Sequence, residues 1–256
     1  MENLLCLYKP VGQTSLQTIR AFQDRFPEYK EQTLSVAGRL DPMAEGLLLV
    51  LIGEENKQRK YYEALEKAYE FDVLFGITTD SYDLLGFPKL IRSSPLTKQE
   101  RVFMYRYMKT KTGKQIQTYP PFSSKPVHGK PLYYWARKGE IDQKNLPTKE
   151  VFIRQLSLQR AATISMKSLF SQITSQIEKL YGDFRQDDIL SSWKTLAKEH
   201  QSAEFSVVTF EISCSSGTYV RAITNEMGDF LKTGAVTDSI TRTRIGNFSI
   251  DDALRV

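Results

Sequence analysis

Lysines, arginines and aromatic residues interleave over residues 87–145, and together these residue types can bind nucleic acid. The stretch carries 13 Lys and Arg against three acidic residues, a net charge of +10, whereas the whole chain has +5. Cations pair with phosphates, and nine aromatic rings are available to stack on splayed bases. A solvated helix face above ordinary core aromatics would give the same pattern, so this feature alone leaves both interpretations open.

Sequence patterns that hold cofactors or metals are missing. There is no Walker lysine loop and no GxGxxG after a strand, so we expect no nucleotide cofactor. The two histidines, His128 and His200, are not at metal-ligand spacing, and Cys6 and Cys214 form no CxxC pair, so we expect no metal. An enzyme of this composition would use carboxylate, tyrosine, lysine or arginine chemistry.

One carboxylate stands in a distinctive segment, Gly38-Arg-Leu-Asp41-Pro-Met-Ala-Glu-Gly. Asp41 before Pro42 is typical of a helix start, with Asp as N-cap and Pro as the first helical residue. The segment also resembles the catalytic motif of the TruB family of pseudouridine synthases. Four further segments resemble motifs of that family in the same order: Lys9-Pro-Val-Gly-Gln-Thr-Ser15; Lys67-Ala-Tyr69 with Gly76-Ile-Thr-Thr-Asp-Ser-Tyr-Asp83; Gln117-Thr-Tyr-Pro-Pro-Phe-Ser-Ser-Lys125; and Cys214-Ser-Ser-Gly-Thr-Tyr-Val-Arg221 with Thr241-Arg-Thr-Arg244.

The resemblance implies an isomerase that breaks the C1′–N1 bond of a uridine, turns the base over and rejoins it through C5, with no cofactor. Asp41 would act as nucleophile or stabilise charge at C1′, and Arg221 would pair with it. Tyr69 would stack on the flipped base and accept a proton. The usual substrate is the T-loop of tRNA at uridine 55. The implied substrate-binding residues are Lys9, Arg39, Lys67, Tyr219, Lys109, Lys125 and Arg137, the last three within an RNA-gripping segment at about 109–139.

The chain also departs from the family pattern. Val36 stands where many members have a His five residues before the Asp, and Lys125 comes one residue early. Residues 165–203 are predicted to form an inserted helical hairpin. Five cations against six acids over residues 166–204 give no electrostatic case for RNA contact, so we expect a structural insertion. The sequence stops soon after Phe248, so we expect no C-terminal RNA-binding domain.

Strands and helices alternate without a regular βαβ rhythm, which favours an α/β (α+β) fold with a mixed, largely antiparallel sheet flanked by helices. The resemblance identifies this as the pseudouridine synthase catalytic fold, and we expect residues 1–256 to form one domain. The longest apolar run, residues 47–52, is too short to span a membrane. The N-terminus has no basic segment typical of a secretory signal. We therefore expect a cytoplasmic protein that binds no membrane. The resemblance implies the tRNA T-arm as its partner, and we expect a monomer.

Two other functions remain open. The chain could be a pseudouridine synthase for another structured RNA loop. It could also be a tRNA-binding or tRNA-folding protein whose catalysis is dispensable. The presence of Asp41, Tyr69 and Arg221 together favours an enzyme, because a protein that only binds RNA needs no such set.

Overall fold

The computed structural model describes residues 3–142 and 145–256. Four residues lie outside those ranges. They are Met1 and Glu2, in the N-terminus that we expect to lack a secretory signal, and Gln143 and Lys144, in the basic stretch. The strands are β1 (Leu4–Lys9), β2 (Leu34–Val36), β3 (Glu45–Ile52), β4 (Lys67–Phe75), β5 (Ile77–Thr79), β6 (Pro88–Leu90), β7 (Gly113–Thr118), β8 (Pro126–Val127), β9 (Lys130–Pro131), β10 (Thr148–Ser165), β11 (Glu204–Cys214), β12 (Ala235–Ile245), β13 (Phe248–Ser249) and β14 (Leu254–Arg255). The α-helices are α1 (Ser15–Arg25), α2 (Arg59–Ala64), α3 (Lys98–Lys111), α4 (Leu132–Arg137), α5 (Met166–Ile177), α6 (Gln186–Glu199) and α7 (Val220–Leu231).

One large sheet runs through the molecule in the order β14-β1-β3-β12-β4-β11-β10-β7, with β2 beside β3 and β13 beside β12. Most neighbouring strands are antiparallel, and the pairs β1–β14 and β3–β12 are parallel. This confirms the predicted mixed, largely antiparallel sheet. Central β4 lies between β12 and β11, and residues 73–75 at its end are buried on both faces of the sheet.

Helices cover both faces of the sheet around β4. Phe71, Val73 and Phe75 belong to the core that contains apolar residues of α3 and α7, whereas Leu74 belongs to the core formed with α5 and α6. This division follows from the alternation of side chains along a strand. The inserted hairpin therefore packs on the face of the sheet opposite α7, and its two predicted helices are confirmed.

Local sequence signals explain several helix ends. Thr97 and Glu100 form the predicted capping box of α3, and each side chain satisfies a backbone N–H of the other residue. Asp41, by contrast, does not begin a helix. The Ala44 N–H donates to the Asp41 carbonyl at 3.1 Å, which closes a turn that leads directly into β3.

The helices in residues 3–142 and 145–256 are each too short or too polar to cross a lipid bilayer.

Candidate active site

The Asp41 turn lies between β2 and β3 and is held from one side by a buried arginine. Arg242 of β12 is 1% exposed and reaches under the turn. Its guanidinium donates to the Leu47 carbonyl at 2.8 Å, to the Gly38 carbonyl at 3.2 Å and to the Arg39 carbonyl at 3.3 Å. These bonds fix Gly38 and Arg39, which precede Asp41, against β3.

Lys9 holds the turn from the other side. Its ammonium is fully buried and donates to the carbonyls of Pro10, Pro42 and Ala44. Burial lowers the pKa of Lys9 to about 7, although the nearby charge of Asp41 acts to raise it. In this structure the Lys9 side chain contacts backbone and is enclosed, so it does not face a surface that RNA could reach.

Arg221 and Asp41 form the central pair of the site. Arg221 Nε donates to Asp41 Oδ2 at 2.8 Å, and the same nitrogen lies 3.5 Å from Asp83 Oδ2. The remaining guanidinium nitrogens donate to the Ser81 carbonyl at 2.7 Å and the Phe122 carbonyl at 3.2 Å. The first turn of α7 thus presents a cation that is held by four groups from three different segments.

Exposure differs sharply between the partners of this cluster. The side chain of Asp41 is 36% exposed, whereas those of Arg221 and Asp83 are 3% and 11% exposed. Burial acts to lower the pKa of Arg221, but the charges of Asp41 and Asp83 outweigh it and raise that pKa. Burial raises the pKa of Asp83 against the opposing charge of Arg221. The arrangement leaves one oriented carboxylate accessible beside a permanently charged, enclosed guanidinium.

Tyr69 on β4 lies next to Arg242, the residue that supports the Asp41 turn. It pairs in register with Arg242 on one side and with Ile212 on the other. Burial raises the pKa of Tyr69 to about 12, so its phenol is neutral near pH 7. Lys67, two residues earlier, is buried and donates to the carbonyls of Glu63 and Leu65, each at 2.6 Å. Burial lowers its pKa to about 8.

Tyr219 precedes α7 and is held by Gln117 of β7. The Gln117 amide accepts from the Tyr219 N–H at 2.7 Å and donates to its carbonyl at 3.0 Å. The Tyr219 ring meets the edge of Tyr119 at 5.5 Å between centroids, and Lys125 Nζ lies 5.4 Å from the Tyr119 ring centroid. Burial and the charge of Asp41 both raise the pKa of Tyr219. The predicted gripping segment is therefore joined to Tyr219.

The other predicted cations lie on the surface. Arg39 is exposed beside Asp41 while its carbonyl is held by Arg242, and Lys109 is exposed on the last turn of α3. Arg137, at the end of α4, pairs with Asp183 at 2.7 Å. The structure thus brings Asp41, Arg221, Tyr219 and Tyr69 into one region, places Lys9 and Lys67 beneath it, and leaves Arg39, Lys109 and Arg137 at the surface.

Two buried residues of this region, Arg242 and Asp83, were not singled out by the sequence interpretation, although both lie inside the quoted motifs. The pattern Thr241-Arg-Thr-Arg244 does not tell which arginine points inward. A β-bulge between Arg242 and Arg244 decides it. Among the residues that the structure describes, no three His, Cys, Asp or Glu side chains come together as a metal-binding group.

Known proteins match this chain in sequence. Residues 28–178 match the family model described as TruB family pseudouridylate synthase (N terminal domain). The tRNA pseudouridine synthase B of Chlamydia pneumoniae is 33% identical over 99% of this chain and 86% of its own length. The protein of that name from Carboxydothermus hydrogenoformans is 30% identical over 99% of this chain and 73% of its own.

Solved structures share the fold at low identity. A chain from a crystal structure of a Cbf5-Nop10-Gar1 complex superposes with a TM-score of 0.58 at 15% identity. The match covers 99% of this chain and 52% of the other, so this chain spans about half the length of that neighbour. A chain from an H/ACA RNP bound to a substrate RNA containing 2′-deoxyuridine gives 0.56 at the same identity. On the family match and the relatives that match 99% of its length, the chain belongs to the TruB family of pseudouridylate synthases.

Proposed function

We propose that the protein converts uridine to pseudouridine in the T-loop of tRNA, at position 55, with Asp41 as nucleophile. The observation that carries this proposal is the bond from Arg221 Nε to Asp41 Oδ2 at 2.8 Å. That bond orients an accessible carboxylate whose other oxygen is left for a substrate. The name tRNA pseudouridine synthase B, borne by relatives that match almost the whole chain, supports tRNA as the substrate.

The proposed reaction conserves every atom. The target base leaves its stack, and Asp41 attacks C1′ or stabilises the positive charge that develops there while the C1′–N1 bond breaks. The bound uracil turns over, and a C5–C1′ bond forms, which displaces Asp41 from C1′ where that bond had been made. C5 loses its proton and N1, freed from C1′, gains one, so the product is an isomer. Arg221 Nε, which donates to Asp41 Oδ2, would hold this side chain in place for the attack.

Tyr69 is the proposed platform for the flipped base. Its neutral phenol, with a pKa near 12, is a weak proton acceptor. This favours stacking over proton transfer as its role. For Lys9 and Lys67, whose ammonium groups bind backbone carbonyls, we propose an indirect contribution to substrate binding through the segments that they hold.

Three exposed cations and the half-buried Lys125 are the proposed contacts to phosphate. Arg39 lies beside Asp41, and Lys109, Lys125 and Arg137 lie along the gripping segment. Tyr219 is the proposed wall of the base pocket, since Gln117 and Tyr119 hold it beside Asp41 and Arg221. We further propose that residues 1–256 act as one catalytic unit, a proposal supported by the pairing of β14 with β1.

Pseudouridine mapping tests the proposal directly. Unmodified tRNA transcripts are incubated with the protein, treated with carbodiimide and reverse-transcribed, and the Asp41→Asn variant serves as the inactive control. We expect one protein-dependent stop at the T-loop uridine. A stop in another loop supports the alternative RNA substrate. Tight binding without any stop supports a tRNA-folding protein and contradicts the proposal.

A further inference from the structure

The segment that joins α5 to α6, residues 178–185, reaches from the inserted hairpin to the surroundings of Asp41. The Tyr181 N–H donates to the Gly12 carbonyl at 3.3 Å, and Gln17 Nε2 donates to the Tyr181 carbonyl at 2.9 Å. Asp183 pairs with Arg137 of α4. The insertion therefore touches the N-terminal motif and the gripping segment as well as the sheet face beneath it.

Arg185 makes the most enclosed of these contacts. Its guanidinium carbon lies 4.5 Å from the ring centroid of Phe122 and 5.0 Å from that of Phe87. Its NH1 lies 3.2 Å from Asp80 Oδ2, and its side chain is 19% exposed. The residue holds this position with φ of +62°, a conformation that is uncommon for any residue other than glycine. A planar guanidinium can stack on rings and pair with a carboxylate at once, which an ammonium cannot do.

The two loops that Arg185 joins carry backbone carbonyls that accept hydrogen bonds from Arg221. Phe122 provides the carbonyl that accepts from one Arg221 nitrogen, and Ser81, next to Asp80, provides the carbonyl that accepts from another. The Asp80 carboxylate also accepts from the Phe87 N–H at 2.9 Å, which ties the two ends of this loop together. A shift of either loop would move an acceptor of Arg221 and thereby turn its Nε away from Asp41.

We propose that Arg185 is a positioning residue for the pseudouridylation reaction: from the insertion it clamps the Asp80 loop to the Phe122 loop and so fixes the guanidinium of Arg221. This inference rests on the proposed function, because it assumes that the pair of Arg221 and Asp41 does the chemistry. It gives the inserted hairpin a role beyond covering the sheet.

Variants of the full chain test the inference. Arg185→Ala removes the stack and the ion pair, whereas Arg185→Lys keeps a charge for Asp80 and loses the planar stack. Arg25→Ala is a matched control, because Arg25 stacks on Phe26 at 5.8 Å and donates to a backbone carbonyl in the C-terminal strand β14. Single-turnover rates are measured by tritium release from T-arm RNA that carries 5-tritiated uridine, and Kd by filter binding.

We expect Arg185→Ala to lower the single-turnover rate roughly ten- to hundredfold at saturating enzyme, with Kd changed by less than about threefold. Arg185→Lys should fall between Arg185→Ala and the wild type, and Arg25→Ala should match the wild type. If Arg185→Ala does not fold, the lysine variant alone must show the loss of rate at unchanged Kd. A rate within about twofold of the wild type overturns the inference. A loss confined to Kd also overturns it, because Arg185 would then be an RNA-binding residue.

A readout that needs no activity separates this inference from the proposed function. In protein labelled with ¹⁵N-arginine, the Arg221 Nε–H signal is assigned by its absence in Arg221→Lys. We expect slow exchange of this proton with water in the wild type and in Arg25→Ala, and faster exchange in Arg185→Ala. If the wild type is inactive on T-arm RNA but this pattern holds, the proposed substrate is wrong and the clamp stands. Equal exchange in all three proteins overturns the clamp.

Discussion

Replacing Arg221 by methionine should show how much folding free energy depends on the cation at the centre of the site. Met keeps much of the aliphatic stem but removes the cation, so the enclosed carboxylate of Asp83 loses its partner at 3.5 Å and the buried carbonyl of Ser81 loses its donor. Removing one partner of a buried ion pair typically costs about 3–5 kcal/mol of folding free energy. Asp41, at 36% exposure, adds little because water can solvate it.

The loss should depend on pH with a defined sign. Burial already raises the pKa of Asp83 in the wild type, where Arg221 opposes the shift. A carboxyl whose pKa is raised in the folded state favours folding when protonated, and that stability is lost as pH rises through the folded pKa. Without Arg221 the pKa rises further. We therefore expect the free energy of unfolding of the variant to fall by about 3–5 kcal/mol at pH 8. At pH 5 the fall should be smaller by about 1–3 kcal/mol.

Urea denaturation at the two pH values measures this difference, and at pH 8 the melting temperature should fall by about 6–20 °C. The double variant Arg221→Met with Asp83→Asn should recover much of the stability, because it removes the unpaired charge. Pseudouridine formation should stay lost in both proteins, since neither has a partner for Asp41. An equal loss of stability at pH 5 and pH 8, or no recovery by Asp83→Asn, would refute the reasoning.

Three further outcomes are expected. Asp41→Asn should abolish pseudouridine formation, read by carbodiimide-dependent stops, while Kd for tRNA stays within about a few-fold; turnover at the wild-type rate would exclude Asp41 as nucleophile. The single variants Lys109→Gln and Lys125→Gln should each reduce the slope of log Kd against log salt concentration by roughly 0.7–0.9. The control Lys57→Gln, which removes an exposed ion pair just before α2, should leave that slope unchanged. Lys9→Met should lower the unfolding free energy by about 2–4 kcal/mol in urea, because three backbone carbonyls lose their donor. Intact stability with weakened Kd would show instead that Lys9 binds RNA itself.

Sequence patterns that are complete within a few residues predicted the structure well. The capping box at Thr97 begins α3, and the two apolar stripes of the insertion form α5 and α6. Asp41-Pro42 has an equally good local pattern for a helix start but forms a turn. The carbonyls around it are held by Lys9 and Arg242, which lie 32 and 201 residues away along the chain, and no local pattern contains that information.

The candidate site was predictable to the extent that motif residues could be identified one by one. Asp41 and Arg221 were expected to pair, and the structure places them at hydrogen-bond distance. The motif order could not show that Asp83 shares the same guanidinium, because that depends on how α7 meets the Asp80 loop. It could not show that Arg242 supports the turn either, because that depends on how β12 meets the Asp41 turn. Lys9 was expected to bind substrate, yet its amine is enclosed by backbone.

The charge balance of the insertion shows how a correct count can leave individual contacts unseen. Near-neutrality predicted a structural element, and α5 and α6 do pack on the sheet. A count cannot reveal that Asp183 pairs with Arg137 and Arg185 with Asp80, across segments far apart in sequence. The two pairs also differ physically. Arg137 and Asp183 are 39% and 78% exposed, and water screens such a pair, so a phosphate could replace Asp183 with little loss. Arg185 is enclosed by two rings, so its contact with Asp80 cannot be replaced in this way. The segment that joins α5 to α6 thus makes one contact that a phosphate could replace and one that it could not.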